Sequence, residues 1–169
     1  MIRGVLLDLS GVLYQGDRAL SGAPEAVAEL QEAGIPLRFI TNTTRTPGRI
    51  LLRRLADLGF PIPTEQLYAA PAVARDYLKR HGRTPFPVIH PDLREEFADF
   101  PEAGPDAVLV GDAGPAFTYE RLNAAFRLLM DGAPLLAMGR NRYFREEEGF
   151  SLDQGPFVAA LEYAARTEA

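Results

Sequence analysis

The stretch Val5-Leu6-Leu7-Asp8-Leu9-Ser10-Gly11-Val12-Leu13-Tyr14 opens with an apolar run and ends it in a carboxylate, a small hydroxyl residue and a glycine. Apolar runs without alternation are the mark of strands buried on both faces, as in parallel sheets. The break at Ser10-Gly11 ends the predicted strand, residues 3–9, and puts Asp8 at its carboxyl end. Open α/β sheets bind ligands just outside those ends. An aspartate placed there can act as a covalent nucleophile.

The chain downstream repeats the same layout. A polar loop over residues 10–22 contains Gly11, Gly16 and Gly22, and Pro24 suits a first helical turn. Val27 and Leu30, with Ala26 and Ala33, form an apolar stripe that Gly34 closes. Ile35 to Ile40 reads as a second strand. Strand, helix and strand with a short return predict a parallel βαβ unit. Thr41-Asn42-Thr43-Thr44 follows, with Thr46 as the expected N-cap of a helix, Pro47 at its first position, and Leu51, Leu55 and Leu58 inward. Arg45, Arg49, Arg53 and Arg54 read as an exposed face of that segment. Phe60-Pro61-Ile62-Pro63-Thr64 reads as a linker.

From residue 65 a second α/β series is expected. It has a helix over 71–81, a short strand at Val88-Ile89 and a short helix over 91–97. A buried strand over 107–110 and a helix capped by Thr118 follow, with Leu122, Ala125, Phe126 and Leu129 inward. Then come a strand over 135–138, a charged irregular segment over 139–150 and a last helix starting at Gly155-Pro156, with Phe157, Leu161 and Ala165 on one side.

Composition narrows the function classes. The 169 residues are 47% hydrophobic and 24% charged, ordinary for a globular chain. A net charge of −5 argues against a general nucleic-acid surface. There is no cysteine, so disulfides and thiolate chemistry are excluded, and only His81 and His90 supply imidazole. No apolar run reaches membrane-spanning length, so no membrane contact and a cytoplasmic location are expected. Lys79 is the sole lysine, so a mechanism that needs a lysine must use it or do without.

Asp8-Leu9-Ser10-Gly11-Val12-Leu13-Tyr14 together with Phe39-Ile40-Thr41-Asn42-Thr43 resembles the haloacid dehalogenase (HAD) superfamily of phosphatases. The likeness is to its capped branch. Leu128-Leu129-Met130-Asp131-Gly132-Ala133-Pro134, Arg142-Tyr143 and Gly155-Pro156-Phe157-Val158-Ala159-Ala160-Leu161-Glu162-Tyr163-Ala164 extend it. The resemblance implies an α/β fold in which residues 1–64 are the first part of a Rossmannoid core with a parallel sheet. Residues 65–169 would then be an inserted α/β cap. It implies a phosphohydrolase acting on a small phosphorylated substrate through an aspartyl-phosphate, and a homodimer formed through the cap.

The resemblance also assigns roles. Asp8 would be the nucleophile, with Thr41 and Asn42 cradling the phosphate and Gly11 letting the backbone approach it closely. Asp8 and the Ser10 carbonyl would ligate Mg²⁺. Ser10 stands where most HAD phosphatases carry a second aspartate as acid and base. A hydroxyl cannot exchange a proton near neutral pH as a carboxyl can, so slow turnover or good leaving groups are expected. The family's lysine and its downstream acidic pair are expected to be missing from residues 1–169, which leaves the machinery incomplete. Two alternatives stand beside this reading: a non-catalytic binding or dimerisation module, and a capless phosphatase that uses Lys79 and Asp112. Arg140, Asn141, Arg142 and Arg145 would meet an anion or form a solvated loop.

Overall fold

The computed structural model describes residues 2–146 and 148–169. Strand β1 (Val5–Asp8) leads into the two-residue strands β2 (Tyr14–Gln15) and β3 (Arg18–Ala19), then helix α1 (Ala23–Glu32), β4 (Leu37–Thr41) and α2 (Gly48–Asp57). Next come β5 (Leu67–Ala69), α3 (Ala70–Arg80), β6 (Pro85–Val88), β7 (Ala107–Val110) and α4 (Tyr119–Met130). The series ends with β8 (Leu135–Ala137), β9 (Tyr143–Glu146), β10 (Gly149–Leu152) and α5 (Gly155–Ala165). No helix among the described residues is long and apolar enough to cross a membrane.

Two parallel sheets organise these elements. The first has the order β1-β4-β5, with Asp8 opposite Ile40 and Thr41 opposite Ala69. Val27 from α1 and Leu51 and Leu55 from α2 pack with Leu37 and Phe39 in one cluster, so both helices cover the same face. The opposite face carries Leu6, Ile40 and Tyr68, all exposed, with Leu6 at 69%. The apolar run at β1 led us to expect burial on both faces. Instead β4 alternates, with Leu37 and Phe39 in and Arg38 and Ile40 out. One helical layer covers one side of a sheet, and the described residues supply one layer here.

The second sheet has the order β6-β7-β8 and is covered on both sides. Val108 and Val110 pack against Ala125, Leu129, Val158 and Leu161 of α4 and α5. Ala107 and Leu109 pack against Leu78 of α3 and Leu93 and Phe97 of the 3-10 helix Pro91–Phe97. All four residues of β7 are therefore buried, as an unbroken apolar strand requires. The first sheet runs on past residue 64 through β5, while α3 belongs to the second hydrophobic cluster, so the chain changes sheets at Ala69-Ala70.

Several local expectations are corrected. The segment 139–150 is not irregular: β9 and β10 form an antiparallel hairpin, Tyr143 opposite Leu152. In the last helix Val158 and Leu161 are the buried residues, and Phe157 stacks on Phe117 with ring centroids 3.7 Å apart. Thr46 does not cap α2. Pro47 stays extended at φ −56 and ψ 143, which delays the helix to Gly48. The first free amide, Gly48 N–H, donates to the Glu96 carboxylate at 2.8 Å. A carboxylate from far along the chain thus does the work of a cap and faces the positive end of the helix. Thr118 does cap α4, its hydroxyl accepting from Arg121 N–H at 3.2 Å.

Two outcomes follow from these contacts. Glu96→Ala is expected to cost about 1 kcal/mol in urea unfolding, and Glu96→Gln, which keeps an acceptor, clearly less. Equal losses would remove the capping role. Asp99 receives hydrogen bonds from Arg75 and then Lys79, and its pKa is lowered from 3.8 to about 2. A carboxylate whose folded pKa is lowered stabilises the fold above its unfolded value and loses that contribution as pH falls through the folded one. Asp99→Asn is therefore expected to flatten the fall in Tm between pH 3.8 and about 2, which thermal melts across that range measure.

Candidate active site

Asp8 ends β1 on its exposed face, and Thr41 ends the neighbouring strand β4. Parallel neighbours run about 4.8 Å apart, so the register Asp8 to Ile40 delivers Thr41 and Asn42 just beyond the Asp8 carboxylate. One Asp8 oxygen, Oδ1, accepts the Leu9 N–H at 2.8 Å. Oδ2 has no hydrogen-bond partner among the described residues.

The turn after β1 explains the small residues there. Leu9 is fully buried and its carbonyl accepts Leu13 N–H at 2.8 Å, which reverses the chain. Gly11 sits at φ +80, a conformation that side chains rarely take, and its N–H donates to the Tyr14 carbonyl at 2.8 Å. Gly11 is thus required by the turn. Its N–H is used within the turn, so any part it takes at a phosphate is the close backbone approach that a residue without a side chain allows. The Ser10 carbonyl accepts no hydrogen bond among the described residues, and Ser10 is exposed.

At the end of β4, Thr43 N–H donates to Thr41 Oγ1 at 3.2 Å, leaving the Thr41 hydroxyl proton free to donate outward. Asp8, Thr41 and Asn42 line one cleft of about 430 Å³, joined by Ile40, Ala70 and Met138. The cleft opens beside an apolar groove of about 540 Å³ that includes Tyr68, Val73, Tyr77 and Met138. The structure therefore brings Asp8, Thr41 and Asn42 together.

Other expected participants are not brought there. Lys79 Nζ lies 2.5 Å from Asp99, on the outer side of α3. Asp112 follows β7 in the second sheet and is held by Arg45 at 2.5 Å. The capless arrangement that would use Lys79 and Asp112 is thus not assembled, because both charges are neutralised by other partners. Arg140 pairs with Glu162 at 2.6 Å, and Arg140 and Arg142 line a different pocket with Tyr143, Leu152 and Pro156.

The residues that sequence reasoning missed lie directly after the Thr41-Asn42 pair. Thr44 is buried and its hydroxyl accepts Asp112 N–H at 3.0 Å. Arg45 donates to both Asp112 oxygens, to Oδ2 through Nε and to Oδ1 through Nη2 at 3.3 Å. It also lies 4.6 Å from the Phe144 ring centroid and 3.4 Å from Glu146. Partial burial works against the Arg45 charge, but the hydrogen bonds and charges of Asp112 and Glu146 outweigh it and raise its pKa. A signal was present: Pro47 keeps Arg45 outside the helix, so it is not part of an exposed helix face.

The donors near Asp8 fit a hard divalent cation in kind, since one carboxylate and one free carbonyl are both oxygen ligands. They fall short in number, because no cluster of three or more His, Cys, Asp or Glu among the described residues could hold a metal ion.

A sequence profile for haloacid dehalogenase-like hydrolases matches residues 5–100. Haloacid dehalogenase-like hydrolase domain-containing protein 2 of Rattus norvegicus is 41% identical over 169 residues, covering 100% of this chain and 65% of that protein. The phospholysine phosphohistidine inorganic pyrophosphate phosphatase of Homo sapiens is 39% identical over 174 residues, covering 99% and 64%. The chain thus spans just under two thirds of the length of these curated relatives. A crystal structure of a 4-nitrophenylphosphatase from Thermotoga maritima superposes with a TM-score of 0.86 at 28% identity, covering 99% of this chain and 66% of that one. With a parallel βαβ unit that ends in Asp8 and Thr41 and a profile match over more than half its length, the chain belongs to the haloacid dehalogenase-like hydrolase family.

Proposed function

We propose that this chain carries the nucleophile and phosphate cradle of a phosphohydrolase that works through an aspartyl-phosphate. The observation that carries the reading is the common cleft of Asp8, Thr41 and Asn42 at adjacent strand ends. Residues from Ala70 onward then act as a cap, with Met138 closing the cleft from that side. The substrate is a small phosphorylated compound, and a cytoplasmic setting suits a chain without cysteine. The exposed Tyr143, Phe150 and Leu152 of the β9–β10 hairpin offer an apolar contact for a homodimer through the cap.

The chemistry runs in two displacements. An Asp8 oxygen lone pair attacks phosphorus in line, an O–P bond forms, and the bond to the leaving group breaks with its electron pair. The Thr41 hydroxyl and the Asn42 side chain hydrogen-bond the phosphoryl oxygens meanwhile. Water then attacks phosphorus, the Asp8–phosphorus bond breaks, the carboxylate is regenerated and the proton passes to solvent. Mg²⁺, held by Asp8 and the Ser10 carbonyl with further oxygen ligands, would supply neutralisation of the phosphate charge.

Ser10 sets the rate. With no carboxyl at this position to protonate the leaving group, poor alkoxide leaving groups depart slowly. Phospholysine, phosphohistidine and inorganic pyrophosphate, in the name of one relative, and the nitrophenyl phosphate ester that another's name implies, need less such help.

The test is phosphoryl trapping with p-nitrophenyl phosphate and Mg²⁺, followed by mass spectrometry. A phosphate adduct confined to Asp8 is expected, absent in Asp8→Asn. An adduct elsewhere, or one that survives in Asp8→Asn, would sink the reading. Ser10→Asp is expected to raise phosphate release from an alkyl phosphate, whose alkoxide leaves poorly, by about a hundredfold, the usual size of a general-acid contribution, and nitrophenol release by clearly less. Lys79→Ala is expected to leave release unchanged.

A further inference from the structure

The two sheets are joined by one crossing of the chain, at Ala69-Ala70. A single crossing acts as a hinge unless side chains hold the two parts. Among the described residues two sets of polar side chains do so. One is the pair Arg49–Glu95, whose side chains are 62% and 68% exposed, beside the Gly48–Glu96 contact. Exposed pairs are screened by water and hold little. The other set is Thr44 and Arg45 on Asp112, and it is different in kind. The Asp112 side chain is 7% exposed and takes both of its charge-assisted bonds from the fork of one guanidinium. Removing Arg45 would leave a buried carboxylate without its counter-charge. Around it the packing is close: Thr44 comes within ordinary contact, 3.5 Å, of where a β-carbon at Gly111 would stand.

We propose that Arg45 and Asp112 form a clasp that holds the second sheet at one spacing over Asp8 and, through Thr44, sets the loop Thr41–Thr44. The inference rests on the reading of Asp8, Thr41 and Asn42 as the phosphate site and adds how that site is positioned. The route is a short series of bonds. Asp112 N–H is taken by Thr44 Oγ1, its carboxylate by Arg45, and the adjacent Thr43 N–H by Thr41 Oγ1. Met138, at the end of β8, lines the same cleft as Asp8 and is carried by the sheet that holds Asp112. Arg45 thus acts through other residues, as a positioning residue. When the clasp opens, the Met138 wall and the Thr41–Asn42 cradle lose their common reference.

The absence of cysteine lets a pair of spin labels be placed uniquely, at Glu29→Cys on α1 and Glu120→Cys on α4, both exposed. Pulsed dipolar spectroscopy is expected to give one narrow distance distribution for this pair. Arg45→Ala is expected to broaden it and to speed hydrogen exchange at the Thr43 and Thr44 amides about tenfold. Arg45→Lys, which keeps the charge without the fork, should restore the narrow distribution while the amides still exchange faster than in the parent. Asp112→Asn, nearly the same shape, should broaden it as well. Arg49→Ala should change neither readout. An unchanged distribution and unchanged exchange in both Arg45→Ala and Asp112→Asn would overturn the clasp. Orthovanadate with Mg²⁺ separates the two readings. Protection of the loop amides in the parent, lost in Arg45→Ala, supports both. A clasp that responds as described with no protection by orthovanadate in the parent would reject the phosphate site and leave the clasp standing.

Discussion

The register between β1 and β4 is the constraint on which the site depends. With Asp8 opposite Ile40, Leu7 and Phe39 fall on the helix-covered face and the carboxylate falls on the open one. Strand side chains alternate, so a slip of one residue along β1 would turn Asp8 toward the helices and Leu7 outward. Burying an unpaired carboxylate there costs several kcal/mol, and exposing the half-buried Leu7 forfeits roughly 1 kcal/mol more. The apolar content of two short strands therefore places the Asp8 carboxylate on the open face, without any residue being devoted to aiming it.

The two sheets use their hydrophobic residues differently, and the cleft follows from the difference. The second sheet is sandwiched, and β7 buries all four of its side chains. The first sheet leaves Leu6, Ile40 and Tyr68 exposed on one face. Its strand ends meet Met138 from the second sheet across a gap, not a packed interface. Polar contacts bridge that gap at Thr44, Arg45 and Gly48, all within the few residues after β4. The segment that follows Thr41-Asn42 is thus also the segment that ties the two sheets together.

Much of this was legible in the chain. β1, β4, β7 and all five helices announced themselves through apolar runs or helical spacing, and Asp8 with Thr41-Asn42 stood at the strand ends where chemistry is done. The hairpin of β9 and β10 did not. Its residues are mostly exposed, so charged and aromatic side chains occur on both faces and no alternation appears. The false cap at Thr46 arose because a local rule applied, while the actual acceptor, Glu96, lies 48 residues away. Gly11 stood out in the sequence by its place three residues after Asp8, and the structure adds a turn that needs it, at φ +80 with its N–H on the Tyr14 carbonyl.

By itself, the sequence determined the class of fold, the family, and the carboxylate that stands at the end of the first strand with a serine two residues on. These depend on residue type and on neighbours close in the chain. Only the tertiary structure decided which charges meet. Arg45 read as part of an exposed helix face and Lys79 with Asp112 as an alternative catalytic pair, and folding instead sorted them into Arg45 with Asp112 and Lys79 with Asp99. Coulomb attraction acts through space, and the pairing of residues 67 positions apart is set by how two sheets are stacked. That stacking also decided what surrounds Asp8: a carboxylate at a strand end is a local fact, whereas a cleft needs a second wall.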